Sequence, residues 1–302
     1  MPKGTVLITG SSGFIGSHVV AEAIKNGYKV KGLDIADPKQ NCGFEFVRAD
    51  IRDKKAVSDA MEGVDYVVHL AAITSVVEFE KDPVTCFDIN INGFLNVLSA
   101  ALKNNVKKVV YASSSAVYTG KHFSEELPID YMKQNNPYSQ SKLINEMHAQ
   151  YFMHSKGLRC VGLRFFNVFG EGENEKGQYA SIATQFMKNK ANGEPLIVYG
   201  DGLQARDFIY VEDVAKITLL LLKKADSGIY NVGTGQATSY KRIAEIIDKK
   251  HIKYVENPLK SYQYLTKADT SKLLRVIGGY EFVKLEEWMQ RNAINHSSAS
   301  KP

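Results

Sequence analysis

A tyrosine and a lysine stand four residues apart near the middle of the chain, at Tyr138 and Lys142. Pro137 comes directly before them and favours the first turn of a helix, where residues four apart lie on one face. A phenol and an ammonium group that converge can exchange a proton with a hydroxyl group, because a nearby cation lowers the pKa of the tyrosine. The pattern is compatible with an acid–base pair, although by itself it is more typical of a surface pair.

Ser114 and Ser115 belong to a run of three serines that follows the strand-like segment Lys108–Ala112. In an open α/β sheet, ligands bind at the carboxyl ends of the strands. A serine hydroxyl at that edge can donate a hydrogen bond to an oxygen atom that is being oxidised. Either serine can serve as the catalytic hydroxyl, and a serine run alone is also common in turns.

A glycine-rich loop lies between the first predicted strand and the first predicted helix, and it predicts a pyrophosphate site. Backbone N–H groups at a helix N-terminus can approach a pyrophosphate closely only where no Cβ blocks them. The spacing differs from the usual Gly-x-Gly-x-x-Gly pattern, so the argument depends on the position of the loop. Its residues expected to contact a dinucleotide are Gly10, Gly13, Phe14, Ile15 and Gly16.

Asp34 ends the second predicted strand and indicates which dinucleotide is bound. A carboxylate there accepts hydrogen bonds from ribose hydroxyls and repels a 2′-phosphate, and Ile35 rather than an arginine follows it. These residues predict NAD rather than NADP as the cofactor. The other expected cofactor contacts lie after the third and fourth strands and in the following helix, and they are Asp50, Ile51, Leu70, Ala71, Ala72 and Asn90.

Strand-like and helix-like segments alternate through the first two-thirds of the chain, which predicts a Rossmann-type α/β fold with a doubly wound parallel sheet. Strands are predicted at Thr5–Thr9, Lys29–Asp34, Phe44–Arg48, Tyr66–Leu70, Lys108–Ala112 and Cys160–Phe165. Helices are predicted at Phe14–Asn26, Lys54–Met61, Pro83–Asn104, Ser139–Lys156 and Tyr179–Lys190. We expect an NAD-binding domain over 1–166, a smaller substrate lobe over 167–294 whose elements interleave with it, and a disordered tail over 295–302.

Composition excludes several other functions. The chain has 302 residues and a net charge of +5, and its basic residues are scattered along predicted helices rather than clustered in a nucleic-acid-binding stripe. Its three cysteines are widely spaced, so neither a metal site nor a disulfide framework is expected. No signal peptide or membrane-length apolar run is present, and we expect a cytoplasmic protein.

Taken together, these residues resemble the extended short-chain dehydrogenase/reductase superfamily and, within it, the NAD-dependent nucleotide-sugar epimerases of the UDP-glucose 4-epimerase type. The segments Arg164–Gly170, Tyr199–Gly202, Arg206–Asp213 and Tyr230–Gly235 also match. The resemblance implies that Ser114, with Ser115 as the near alternative, assists Tyr138 and Lys142. It implies a nucleotide-diphosphate sugar as substrate, with Asn167 and Arg206 holding the diphosphate and Tyr199 nearby, and a homodimer assembled through two helices.

Departures from the superfamily pattern narrow the expected reaction. The dehydratases and decarboxylases carry acidic residues before the Val-Tyr pair, where this chain has Ser114-Ser115-Ala116. Inversion at carbon 4 through a transient ketosugar is therefore expected. The alternatives are an NDP-4-ketosugar reductase and an epimerase like the ADP-heptose 6-epimerases, whose pattern would bring Lys176 and Tyr262 to the substrate.

Two further classes of protein that do not act on nucleotide sugars are also compatible with a dinucleotide-binding fold. A dinucleotide-sensing regulator could dispense with the Tyr138/Lys142 pair, which this chain retains. A dehydrogenase of small alcohols would leave Asn167 and Arg206 without a diphosphate to bind.

Overall fold

The structure is a computed structural model that describes residues 3–39, 43–118, 123–125, 136–174, 177, 180–257 and 263–298. Its strands are β1 (Thr5–Thr9), β2 (Lys29–Asp34), β3 (Glu45–Arg48), β4 (Tyr66–His69), β5 (Lys108–Ser114), β6 (Cys160–Phe165), β7 (Asn167–Phe169), β8 (Leu196–Tyr199), β9 (Ala205–Tyr210), β10 (Gly228–Val232), β11 (Ala237–Ser239) and β12 (Ile252–Val255). Its α-helices are α1 (Phe14–Lys25), α2 (Lys54–Ala60), α3 (Val76–Lys81), α4 (Pro83–Phe87), α5 (Gly93–Lys103), α6 (Pro137–Lys156), α7 (Ile182–Ala191), α8 (Val211–Lys224), α9 (Tyr240–Asp248), α10 (Ser271–Ile277) and α11 (Leu285–Ser298).

Seven parallel strands form the main sheet, in the order β10-β6-β5-β4-β1-β2-β3. The strand order runs outward in both directions from β1 and β4, so the sheet is doubly wound and its switch point lies between these two strands. The predicted α/β Rossmann-type fold class is confirmed. All seven carboxyl ends meet at one edge, and β1, β4 and β5 carry the predicted cofactor loop and serines to that edge.

Helices cover both faces of this sheet, which explains why its strands are continuous apolar runs rather than alternating ones. One apolar cluster joins the sheet to α1, α8 and α10, and the other joins it to α2, α5 and α6. Because each face is buried, the strands are fixed in register and the loops at their carboxyl ends are held at defined positions.

A second lobe packs beside the carboxyl edge of the sheet. It contains a three-stranded sheet, β11-β9-β7, and a two-stranded sheet, β12-β8, around an apolar cluster shared with α7, α9 and α11. The two units interleave, since β10, α8 and α10 follow residue 166 in sequence but belong to the main sheet and its helical layer. A boundary at residue 166 therefore separates the two units only in part, because later elements return to the main sheet.

Some helix boundaries differ from the sequence prediction. The predicted helix over 83–104 is divided by a π-helical turn, Asp88–Asn92. Helix α11 extends to Ser298, into the segment 295–302 that the sequence predicts to be disordered; residues 299–302 lie outside the described part of the chain. Among the described residues, no helix is long and apolar enough to cross a membrane, and no group of three histidine, cysteine or acidic residues is placed to hold a metal ion.

Candidate active site

The glycine-rich loop connects β1 to α1 and packs too tightly to admit a side chain at its key positions. A Cβ atom on Gly16 would lie 1.8 Å from the carbonyl oxygen of Gly10, and one on Gly10 would lie 2.6 Å from the backbone nitrogen of Ala71. Gly13 is the N-cap of α1 and offers no side chain to the first N–H groups of the helix. These N–H groups can therefore donate hydrogen bonds to an anionic ligand such as a pyrophosphate.

Asp34 lies beside this loop at the end of β2, and backbone groups fix its carboxylate. Its Oδ2 atom accepts a hydrogen bond from the Ser12 N–H at 3.0 Å, and its Oδ1 atom accepts one from the Ala36 N–H at 3.1 Å. A carboxylate held in this position suits ribose hydroxyls and disfavours a 2′-phosphate. The glycine loop and Asp34 together fit NAD.

A cavity of about 340 Å³ lies at the carboxyl edge of the sheet and brings together most of the predicted cofactor and catalytic residues. From the second lobe side, Phe166 and Val168 contribute to its wall. The predicted residues that line it are Gly10, Gly13, Phe14, Ile15, Gly16, Leu70, Ala72, Ser114, Tyr138 and Lys142. Ser115 does not line the cavity, because it begins the 3-10 turn Ser115–Val117.

The tyrosine, lysine and serine converge in this cavity. The Tyr138 phenol is hydrogen-bonded to the Ser114 side chain. The Lys142 Nζ atom lies 5.8 Å from the centroid of the Tyr138 ring and donates to the carbonyl oxygen of Ala112 at 3.1 Å. Three residues from β5 and α6 therefore present a phenol, a hydroxyl and an ammonium group to one space.

Burial determines how the two titratable groups behave. It raises the pKa of Tyr138, and the hydrogen bond with Ser114 opposes that shift only in part. It also lowers the pKa of Lys142 to about 8. The expectation that Lys142 lowers the pKa of Tyr138 was therefore wrong for the protein alone, because removing the phenol from water disfavours its anion more than the nearby groups stabilise it.

A buried ion pair connects α6 to the sheet directly below these groups. Arg164 Nε and Nη2 donate to the two oxygens of Glu146 at 2.9 and 2.7 Å, and both side chains are 5% exposed. Ser113, the neighbour of Ser114, donates to Glu146 Oε1 at 2.6 Å. Glu146 lies one helical turn after Lys142, so the pair sets the position of α6 relative to the catalytic end of β5.

The same arginine begins a hydrogen-bond chain that runs across the main sheet to β10. Arg164 Nη1 donates to the Tyr118 hydroxyl at 2.9 Å, and that hydroxyl donates to Asn231 Oδ1 at 2.7 Å. Asn231 Nδ2 donates to the carbonyl oxygen of Phe123 at 2.7 Å, and its N–H donates to Glu125. The polar chain thus joins β6, β10 and the segment 123–125.

Five predicted cofactor residues lie outside the cavity lining: Asp34, whose contacts are given above, Ala71, which packs against Gly10, and Asp50, Ile51 and Asn90. The Asp50 carboxylate is held by Arg52, with an Nη2–Oδ2 distance of 2.7 Å, and this contact lowers the pKa of Asp50. Ile51 is buried against Gly93 in the core. Asn90 is 1% exposed in the π-helical turn, where it binds both the N–H and the carbonyl oxygen of Ile73. Asn90 therefore supports the loop after β4.

The predicted diphosphate residues occupy the second lobe. Asn167 begins β7 and donates to the carbonyl oxygen of Asp207 at 3.1 Å. Arg206 on β9 donates through Nη1 to the carbonyl oxygen of Ala205 at 2.9 Å, and its guanidinium lies 5.6 Å from the centroid of the Tyr240 ring. Tyr199 is 40% exposed at the end of β8. Lys176 and Tyr262 lie outside the described residues.

Asp207, the acidic neighbour of Arg206 in the sequence, is engaged by other groups. Its buried carboxylate accepts from the N–H groups of Thr234, Gly235 and Ala268 at 2.8 to 3.0 Å and from the Thr234 hydroxyl at 2.7 Å. These contacts occupy Asp207 in organising the backbone, so Arg206 is not committed to it.

The sequence interpretation missed the buried polar residues that support the site. Glu146 had a readable signal, because it follows Lys142 by four residues and so shares its helix face. Arg164 and Asn231 had no local signal, since their partners are distant in sequence and become neighbours only through the sheet.

Comparisons with known proteins agree with this geometry. A family model described as the NAD dependent epimerase/dehydratase family matches residues 6–233. A putative UDP-glucose 4-epimerase of Methanocaldococcus jannaschii is 38% identical over 251 residues, which are 80% of this chain and 81% of that protein.

Two solved structures are similar over nearly the whole chain. A UDP-N-acetylglucosamine 4-epimerase from Methanobrevibacter ruminantium, in complex with UDP-N-acetylmuramic acid, has a TM-score of 0.88 and 31% identity, and the match covers 99% of this chain and 100% of that one. A UDP-glucose 4-epimerase of Thermus thermophilus, in complex with NAD, has a TM-score of 0.85 and 31% identity, with coverage of 98% and 99%.

Proposed function

The chain belongs to the NAD-dependent epimerase/dehydratase family, and we propose that it inverts carbon 4 of a UDP-sugar by oxidising and then re-reducing that carbon. The observation that carries the proposal is the convergence of Ser114, Tyr138 and Lys142 in one cavity with the glycine-rich loop. The similarity to sugar-nucleotide 4-epimerases supports the same reaction.

The residues present fit NAD, the cofactor of the family. Gly10, Gly13 and Gly16 leave room for the pyrophosphate at the start of α1, and Asp34 would receive the ribose hydroxyls. NAD held by these residues would supply a hydride acceptor and donor for carbon 4 of the sugar.

The chain itself moves the proton. Tyr138 takes the proton of the sugar O4 hydroxyl while Ser114 donates a hydrogen bond to the same oxygen, and Tyr138 returns the proton after the ketosugar has turned. A charged Lys142 stabilises the phenolate form of Tyr138 that accepts the proton, and Tyr138 is a neutral phenol until it returns that proton. We assign the hydroxyl role to Ser114 rather than Ser115, because Ser114 lines the cavity and is hydrogen-bonded to Tyr138.

The residues beside Ser114 argue against elimination of water. Ala116 occupies the position before Val117 where dehydratases need an acid, so the cavity offers one proton relay at this point of the chain. A single relay is sufficient for oxidation and reduction at the same carbon.

We assign the diphosphate to Asn167 and Arg206, with Tyr199, Lys176 and Tyr262 as further substrate contacts. Arg206 bonds neighbouring carbonyl oxygens through Nη1, which leaves the rest of its guanidinium fork for phosphoryl oxygens. A positive group at this point matches the charge of the substrate.

A homodimer is part of the proposal. The helical pair formed by α4–α5 and α6 exposes apolar side chains, including Val84 at 77% and Met147 and Tyr151 at 53% each. Burying such residues against the same face of a second copy is favourable. A reducing compartment such as the cytoplasm fits the free thiols of Cys86 and Cys160, which are both buried.

The test is a panel of UDP-, dTDP- and ADP-sugars incubated without added NAD, with inversion at carbon 4 and at carbon 6 scored by NMR. We expect inversion of a UDP-sugar at carbon 4 with no accumulation of NADH. Stoichiometric NADH would indicate a dehydrogenase, and inversion of ADP-heptose alone would favour the 6-epimerase alternative.

A pair of matched variants tests the chemistry. Tyr138→Phe removes the phenolic proton carrier, and we expect at least about a hundredfold loss of kcat. Tyr66→Phe, at the amino end of β4 and so at the opposite edge of the sheet, should leave kcat unchanged. Full activity of Tyr138→Phe would refute the proposed proton relay.

A further inference from the structure

The loop that follows β7 connects the second lobe to the cofactor side of the molecule. We name the segment Gly170–Glu173 the latch loop. It leaves the three-stranded sheet of the second lobe and reaches the first turns of α1.

On the cofactor side, the latch loop contacts two residues of α1. The His18 Nε2–H group donates to the carbonyl oxygen of Glu171 at 3.0 Å. Gly172 lies against the Phe14 ring, because a Cβ atom built on it would be 3.7 Å from Phe14 Cδ2. Phe14 also lines the cofactor cavity, so the latch loop touches the back of a cofactor-binding residue.

On the second-lobe side, the Glu171 carboxylate holds two aromatic donors. The Tyr210 hydroxyl donates to its Oε2 atom at 2.6 Å, and the Trp288 indole N–H donates to its Oε1 atom at 2.8 Å. Tyr210 ends β9 and Trp288 belongs to α11. One side chain therefore fastens the loop to two separate elements of the lobe.

The far end of the latch loop is anchored as well. Glu173 is 1% exposed and accepts from the Ser181 N–H and hydroxyl at 2.8 Å and from the Thr184 hydroxyl at 2.6 Å. These contacts tie the loop to the start of α7. The latch loop is thus held between two carboxylates, of which Glu173 is buried and Glu171 is exposed.

We propose that Glu171 is a positioning residue that latches the second lobe onto α1 and slows the release of NAD. The inference deepens the proposed function, since an epimerase must return the hydride to the sugar from the same bound dinucleotide that received it. An enzyme that released NADH at each turnover would gain nothing from such a latch. Because Glu171 is exposed, its hydrogen bonds can open without exposing core residues.

The test measures dinucleotide release without any sugar substrate, so it is independent of the proposed reaction. The holoenzyme is loaded with radiolabelled NAD and chased with excess unlabelled NAD, and retained label is followed by rapid desalting. We expect Glu171→Ala to release label about tenfold faster, which corresponds to about 1.4 kcal/mol for two lost charge-assisted hydrogen bonds at an exposed site.

Two further variants serve as comparison and control. Tyr210→Phe removes one donor and keeps the ring packed on Phe169, so we expect an intermediate release rate, about threefold above wild type. Glu45→Gln alters an exposed glutamate on β3 that pairs with Lys31, away from the latch, and should release label at the wild-type rate. If Glu171→Ala fails to fold, Tyr210→Phe decides the question.

Trp288 is the only tryptophan of the chain, and its fluorescence reports on the latch directly. Losing the Glu171 acceptor should shift its emission in Glu171→Ala but not in Glu45→Gln. Release from Glu171→Ala or from Tyr210→Phe at the wild-type rate would overturn the proposal, even if the protein epimerises normally. Faster release in a protein that epimerises no sugar would support the latch and refute the proposed reaction.

Discussion

Replacing Glu146 with glutamine should destabilise the protein by about 3–5 kcal/mol, because it leaves the charge of Arg164 buried without a partner. The two side chains meet in a bidentate pair at 2.9 and 2.7 Å, and each is only 5% exposed. Glutamine has nearly the same shape, so packing changes little. Its amide group, however, turns a donor toward one of the donors that Arg164 or Ser113 presents.

An exposed ion pair on the same protein provides the control. Glu286 accepts from Arg242 Nε at 3.1 Å, but the two side chains are 44% and 55% exposed. Glu286→Gln should therefore cost at most about 1 kcal/mol, since water screens the charges before and after the change. The contrast between the two variants depends on burial alone, because the substitution is chemically identical.

The measurement is urea unfolding of the NAD-free protein followed by circular dichroism, with the free energy of unfolding compared among wild type and both variants. Fluorescence of Trp288 should give the same transition if unfolding is cooperative. Equal losses for Glu146→Gln and Glu286→Gln would refute the reasoning, because they would mean that the buried pair contributes no more than an exposed one.

Three other changes have expected outcomes. Gly16→Ala should prevent folding of the cofactor loop, because its Cβ would lie 1.8 Å from the carbonyl oxygen of Gly10. Gly13→Ala should melt near the wild-type temperature, because its Cβ would lie 3.3 Å from the same atom. Both variants should lose NAD binding, measured by calorimetry. The pKa of Lys142 is about 8 in the folded protein and 10.5 for an ordinary lysine. Between these two pH values the unfolded chain binds more protons than the folded one, so the free energy of unfolding should rise with pH. The variant Lys142→Met should lack this rise in melting experiments. Lys108→Met should cost about 1–3 kcal/mol in urea unfolding, because the buried ammonium group donates to the carbonyl oxygens of Leu222 and Ala225 at the end of α8.

The sequence was sufficient to predict the main sheet because its signal is local. Strands such as β4 and β5 are apolar on both faces and alternate with amphipathic helices, which a parallel doubly wound sheet requires. The same local reasoning located Tyr138 and Lys142, since their spacing and the preceding proline define a helix face without reference to any distant residue.

Features that depend on distant partners could not be predicted in this way. β10 completes the main sheet by pairing with β6. In the sequence, however, the elements β7, α7, β8, β9 and α8 lie between these two strands. The π-helical turn at Asp88–Asn92 is a second example, because it is stabilised by the contacts that Asn90 makes with Ile73 and Asn145. Neither set of contacts is visible in the segment itself.

Electrostatic properties were harder to predict than positions. The spacing of Tyr138 and Lys142 gives their separation along a helix but not the depth at which the helix is buried. Burial reverses the expected direction of the Tyr138 pKa shift, since desolvation outweighs the hydrogen bond to Ser114. Asp207 is comparable: its place next to Arg206 in the sequence is compatible with an ion pair, whereas the fold turns the carboxylate toward backbone N–H groups.

The position of the Glu146–Arg164 pair indicates why a charged pair is found where apolar side chains would hold the protein together as well. A buried ion pair is often no more stabilising than well-packed hydrophobic residues of similar volume, because both charges must leave water. Apolar contacts, however, tolerate sliding, whereas two short parallel hydrogen bonds fix one register. That register is the one that matters for chemistry, since Ser113 bonds the pair from the strand position next to Ser114 and Glu146 follows Lys142 by one turn. We infer that the pair contributes to the geometry of the phenol, hydroxyl and ammonium groups more than to the overall stability of the fold.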